Sequence, residues 1–136
     1  MIIALARLVG LSPLTVEHSE MEAQHQQLHQ LIADFFEKMR FNNDASSAFK
    51  RLHESMIEHF ETEQQLMETS GYRSKQRHIE THNTLLQHLE GIFQDYPIGK
   101  ASKDYVDEQE RAFNKALNKH IAISDFMLAS FLQKTN

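Results

Sequence analysis

The chain has 136 residues, enough for one domain with its own core and no comfortable second. Its 4 Gly and 2 Pro are too few for the turns of an all-β sandwich or barrel, and the absence of Cys excludes disulfides, iron–sulfur clusters, thiolate zinc sites and Cys nucleophiles. With 19 acidic against 14 basic residues and a formal charge of −5, nucleic acid is not expected as a main partner, because a phosphate backbone needs a positive footprint.

Residues 1–11, MIIALARLVGL, are apolar but interrupted by Arg7, with no basic n-region and no A-x-A cleavage pattern. They read as part of an N-terminal arm over 1–16, with Pro13 keeping Ser12 out of the helical region. No apolar run is long enough for a membrane span, and a cytoplasmic location is expected. Turn signals at Asn42-Asn43-Asp44, at Ser70-Gly71 and over Asp95 to Ser102 then cut the chain into four long segments. The first, about 19–40, carries Met21, His25, Leu28, Ile32, Phe35 and Met39, alternately four and three apart, which is one helix face. The second, about 44–69, follows Asp44 as an expected N-cap, with Phe49, Leu52, Met56, His59/Phe60, Glu63 and Leu66/Met67 as its stripe. The third, about 73–94, presents His78, His82, Leu85, Leu89 and Ile92/Phe93. The fourth, about 103–133, follows Ser102 and presents Phe113, Leu117, His120/Ile121, Ser124, Leu128 and Phe131. The fold class that follows is all-α: a single domain over 1–136, an antiparallel up-down-up-down four-helix bundle with an N-terminal arm.

Ligand-type residues occupy core positions in every one of these helices, in a chain with 9 His. They are His25, then His59 and Glu63, then His78 and His82, and finally His120 with Asp125. The pairs His59/Glu63 and His78/His82 are spaced i,i+4, so both side chains point the same way from adjacent turns. Asp125 is five residues after His120, about 140° around a regular helix, and only borders its stripe. In an antiparallel bundle most of these residues fall at one level, with His120 expected deeper. Each alone has a bland reading: a hydrogen-bonded core His, a Glu63 salt bridge to Arg73 or Arg77, a surface Asp125. Together they are explained by metal, since buried carboxylates and imidazoles without partners cost several kcal/mol. His18, His53 and His88 fall on the flanks of the stripes, and His29, i,i+4 from His25, is a candidate outer donor. Five imidazoles and two carboxylates exceed the four ligands of zinc and suit two octahedral ions with bridging carboxylates, iron among redox metals. The ferritin-like pattern of two Glu-x-x-His motifs is met only by Glu22-x-x-His25. Richness in neutral imidazole favours reversible oxygen binding over oxygenase chemistry.

This constellation resembles the hemerythrins, and among them the bacterial ones. The residues that carry the resemblance are Glu22-Ala-Gln-His25, His59-Phe-Glu-Thr-Glu63, Gly71-Tyr72 before His78-Ile-Glu-Thr-His82, and His120-Ile-Ala-Ile-Ser-Asp125, in order over about residues 15–132. The resemblance implies one iron on His78, His82 and His120 and another on His25 and His59. Glu63 and Asp125 would bridge them beside an oxo or hydroxo group, and the two-histidine iron would carry the open position for dioxygen or another small diatomic or anionic ligand. It implies oxygen or redox sensing, delivery or storage without enzymatic turnover, with a signalling output domain or partner protein if it senses. Peroxide or nitric-oxide reduction at the same site, and a metal-free helical interaction module, are the competing functions. The chain departs from the family at Glu22, where Asp is common, at His29, where an aromatic is usual, and at Ala116, where Trp is frequent. Ala116 and His29 together imply a roomier, more polar oxygen pocket and faster autoxidation.

Overall fold

The computed structural model describes residues 16–41, 43–95 and 102–135. Most of the expected arm lies outside the described residues; Val16 already opens the first helix. The elements are α1 (Val16–Arg40), α2 (Ala45–Ser70), α3 (Lys75–Gln94), α4 (Lys103–His120), a π-helical segment (Ile121–Asp125) and α5 (Phe126–Thr135). The last three form one continuous fourth helix, and no strand occurs among the described residues. No helix among them is long and apolar enough to cross a membrane.

The helix ends follow local chemistry, with one correction. Ser102 caps α4 by accepting from the Tyr105 amide at 3.1 Å. Gly71, at φ 70, ends α2 in the left-handed conformation that costs a glycine little, and its N–H returns to the Met67 carbonyl. Asp44 does not act as the expected side-chain cap: it too is left-handed, at φ 57, and its carboxylate makes no capping bond. A cap residue reaches the first free amides from an extended backbone, and Asp44 is not extended.

α1 packs on α2 and α4, and α3 packs on the same two helices. Toward one end the ring of His25 meets that of His59, and toward the other Phe35 meets Phe49, the crossed pairing that an antiparallel order produces. The apolar stripes make two separate clusters. The larger holds Leu28, Phe35, Phe36, Leu52, Met56, Phe60, Leu85, Leu89, Phe113, Leu117 and Ile121, and the smaller holds Met21, Met67, Leu128 and Leu132. Along α1 the break falls between Met21 and Leu28, along α2 between Phe60 and Met67, and along the fourth helix between Ile121 and Leu128. His25, Glu63 and Asp125 stand in those gaps, so a polar layer divides the core. Phe35 is fully buried in the larger cluster, with Phe36, Phe49 and Phe93 at ring separations of 5.1, 5.9 and 6.2 Å. Phe35→Ala is expected to cost about 3–5 kcal/mol in denaturant unfolding while leaving the polar layer intact.

Candidate metal centre

The polar layer is built by helix spacing and by one irregularity. On α2 and α3 the i,i+4 pairs His59/Glu63 and His78/His82 all face inward and are buried. On the fourth helix the π segment does what a regular helix would not. The Phe126 amide bonds back to the Ile121 carbonyl, five residues earlier, so the turn takes in an extra residue. Residues five apart then lie nearly above one another, and Asp125 comes under His120 instead of 140° away. His120 is not the deeper outlier expected from its position, and its Nε2 stands 2.9 Å from Asp125 Oδ1.

All seven expected residues come together, in two groups that share both carboxylates. The first comprises His25, His59, Glu63 and Asp125, and the second comprises His78, His82, His120, Glu63 and Asp125; within each, the donor atoms lie within 4.8 Å of one another. Glu63 divides its oxygens. Oε1 accepts from Nε2 of His78 at 2.9 Å and of His82 at 2.7 Å, while Oε2 stands 3.0 Å from His59 Nε2. Asp125 does the same, with Oδ1 3.0 Å from His78 Nε2 and Oδ2 2.9 Å from His25 Nε2. The bland pairing of Glu63 with Arg73 or Arg77 is not what the chain forms: the ion partners described for it are all histidines.

The spacing also fits metal ions. With metal–donor bonds of about 2.1 Å, donors at right angles stand about 3.0 Å apart and opposed donors about 4.2 Å. In the first group the short edges are 2.9, 3.0 and 3.2 Å and the long ones 3.7 and 3.8 Å. In the second, His120 Nε2 is 3.9 Å from Glu63 Oε1, and the other carboxylate contacts are 2.7 to 3.0 Å. Glu63 Oε2, Asp125 Oδ1 and His120 Nε2 are fully buried with close neighbours, yet none is aligned for a hydrogen bond. His25 and His59 face each other nitrogen to nitrogen at 3.2 Å, within hydrogen-bond reach. Buried donors that crowd this closely, three of them without a hydrogen bond, suit cations placed among them.

In the metal-free chain the charges balance internally. Burial disfavours the imidazolium of His59, but Glu63 and Asp125 outweigh it and raise its pKa to about 10. His120 is raised to about 9 against its burial, chiefly by Asp125. Burial and the neighbouring His120 and His78 hold His82 down at about 4, although Glu63 pulls the other way. Burial would raise both carboxylates, but the histidines around them hold Glu63 and Asp125 well below the usual carboxylate range.

Three further residues, not legible as ligands, orient the imidazoles. Thr62 gives its hydroxyl proton to the Glu58 carbonyl at 3.0 Å, so its oxygen accepts from the Gln24 amide nitrogen at 3.2 Å. That fixes the Gln24 oxygen toward His59 Nδ1, 3.0 Å away, and leaves Nε2 for the centre. Thr81 stands in the same relation to His120 Nδ1, at 3.0 Å. The only sequence signal was position: Gln24 and Thr81 each precede a ligand-type His, and Thr81 is three residues after His78, the spacing at which a threonine hydroxyl reaches back to a carbonyl.

His53 stacks on Phe49 and His88 packs edge-on against Phe113, while the side chain of His18 lies outside the described residues. His29 is half-buried, with its pKa lowered by burial and by His25. Ala116 lines a cavity of about 300 Å³ with Thr81, Thr84, Leu85, Lys119, His120, Ile123 and Ser124. This space opens beside His120 in the second group. His25 and His59 are not among the residues that line it.

Compared with protein-family models, with curated proteins and with solved structures, the chain matches none.

Proposed function

We infer that this chain is a hemerythrin-like non-heme di-iron protein that binds dioxygen, for sensing, delivery or storage. The observation that carries the reading is the division of Glu63 and Asp125, each giving one oxygen to a three-histidine group and one to a two-histidine group. Such a division suits two ions held side by side, one by His78, His82 and His120 and the other by His25 and His59, and the smaller imidazole count of the second group would leave it room for a small ligand. Imidazole and carboxylate donors favour iron among redox metals. Two ferrous ions held by these residues would supply the two electrons that dioxygen takes up on binding.

The chain's own part is to hold, neutralise and keep dry. His59 and His120 keep a proton on Nδ1, through Gln24 and Thr81, and present Nε2 inward. Phe60 stacks on the His82 ring at 3.9 Å and fixes its plane. The buried Met21 and Leu28 flank His25 along the same helix face, and Met56 and Met67 flank the α2 ligands, so apolar side chains stand on both sides of the layer along these helices. Elemental analysis after loading with ferrous iron is expected to give two iron per chain. One or none would count against this reading.

A further inference from the structure

We propose that Thr81 is a positioning residue for metal binding: its hydroxyl fixes which nitrogen of His120 faces the centre, and the adjoining cavity decides how far that role can be replaced. The inference rests on the metal-binding reading above. A threonine hydroxyl has one proton to give. Thr81 gives it to the His78 carbonyl at 2.7 Å, so toward His120 Nδ1, at 3.0 Å, the oxygen can only accept. When His120 gives up its second proton to bind metal, the remaining proton is therefore held on Nδ1, and Nε2, 2.9 Å from Asp125 Oδ1, is the nitrogen freed to ligate in the second group. One side chain ties together two ligands on two helices, through the backbone of His78 and the ring of His120.

The two locks of the centre differ in their surroundings. The Gln24–His59 contact is buried. The Thr81–His120 contact lies on the wall of the cavity of about 300 Å³, whose other walls include Thr84, Ala116 and Ser124. A site with polar partners and this much space admits a water. That makes the order of substitutions unusual. Thr81→Ser keeps the acceptor. Thr81→Ala removes it but leaves room for a water from the cavity to accept from Nδ1–H. Thr81→Val, the closest match in shape, sets a methyl against Nδ1–H and excludes that water, so the conservative replacement in volume is the most damaging in function.

The test uses the full chain with zinc as a diamagnetic probe, and chelator competition for affinity. Zinc affinity is expected to fall about 10–100-fold in Thr81→Val, the usual effect of losing an outer hydrogen bond to a ligand histidine. It should fall less in Thr81→Ala and stay within about twofold of the parent in Thr81→Ser. Imidazole ¹H–¹⁵N spectra should show His120 protonated at Nδ1 in the parent and the Ser variant, and should lose that signal in the Val variant. Thr81→Val with parental affinity and an unchanged Nδ1–H signal would overturn the proposal, as would Ala binding more weakly than Val. If the parent chain takes up no zinc, the metal-binding reading fails. The tautomer of the neutral His120 ring in the metal-free chain, read from its ¹⁵N shifts at alkaline pH, then decides the Thr81 contact by itself: Nδ1–H in parent and Ser with loss of that preference in Val upholds it, and Nε2–H in the parent overturns it.

Discussion

Glu63→Ala is expected to abolish metal uptake at both donor groups at once. Glu63 has no solvent exposure and contributes one oxygen to each group. Its Oε1 accepts from His78 and His82, and its Oε2 faces His59. Without it, Asp125 is the only anion left among five imidazoles, and one charged bridge is lost to both ions. Breaking a buried charge pairing by removing one partner costs about 3–5 kcal/mol, which is a hundredfold to several thousandfold in affinity. The bound metal should therefore drop from two per chain to near none after gel filtration. Glu68→Ala, on the exposed side of the same helix, serves as the control and should leave the stoichiometry alone. A Glu63→Ala chain that retains a full complement would mean that the carboxylate neutralises the histidines without joining a metal.

The second large effect is on stability, and its dependence on pH has a definite sign. In the metal-free chain His59 and His120 are raised, to about 10 and about 9, so their stabilisation is complete below their ordinary value near 6.5 and is lost as pH climbs through the raised values. Glu63 and Asp125 are lowered, so their contribution is complete above about 4 and is lost as pH falls through the lowered values. His82, held at about 4, works against the folded state below its ordinary value. The metal-free chain should thus be most stable near pH 6 to 7. Metal displaces the protons of His59 and His120, and binding releases them. The gap in melting temperature between loaded and metal-free protein should widen from pH 6 to pH 9. With free metal a thousandfold above its dissociation constant, one site adds about 4 kcal/mol, on the order of 10–20 °C for a domain of this size. Paired thermal melts with and without chelator check this. A gap that narrows over that range contradicts the assignment of these histidines.

The i,i+3/i+4 stripes made the helices legible because a bundle core repeats one demand every turn: Met21, Leu28, Ile32, Phe35 and Met39 are all buried as the spacing requires. The same periodicity exposed the candidate site, since His25, Glu63 and His82 interrupt apolar stripes where water is excluded. Asp125 was legible only as a borderline residue, because regular helical geometry turns it away from His120. Its placement depends on a π segment that no local propensity announces. The left-handed Asp44 was hidden for a related reason: a residue type that favours caps also tolerates that conformation, and the surrounding chain decides between them. Gln24 and Thr81 stayed hidden because their roles depend on which rings come to face them from other helices. Ala116 lines a cavity together with His120, a neighbourhood set by the packing of the third and fourth helices and not by spacing along either.

The most direct test of the account is an optical spectrum of the iron-loaded, reduced protein recorded without air, after air, and after evacuation. A di-iron oxygen-binding centre should show two iron per chain and a charge-transfer band that appears with oxygen and fades under vacuum. Colour that decays to a stable oxidised form would retain the two-iron centre and point to a redox or oxygen sensor rather than a store. No charge-transfer band at any stage, with iron below one per chain, would contradict the account and leave the histidine–carboxylate layer as an ion-paired core of the bundle.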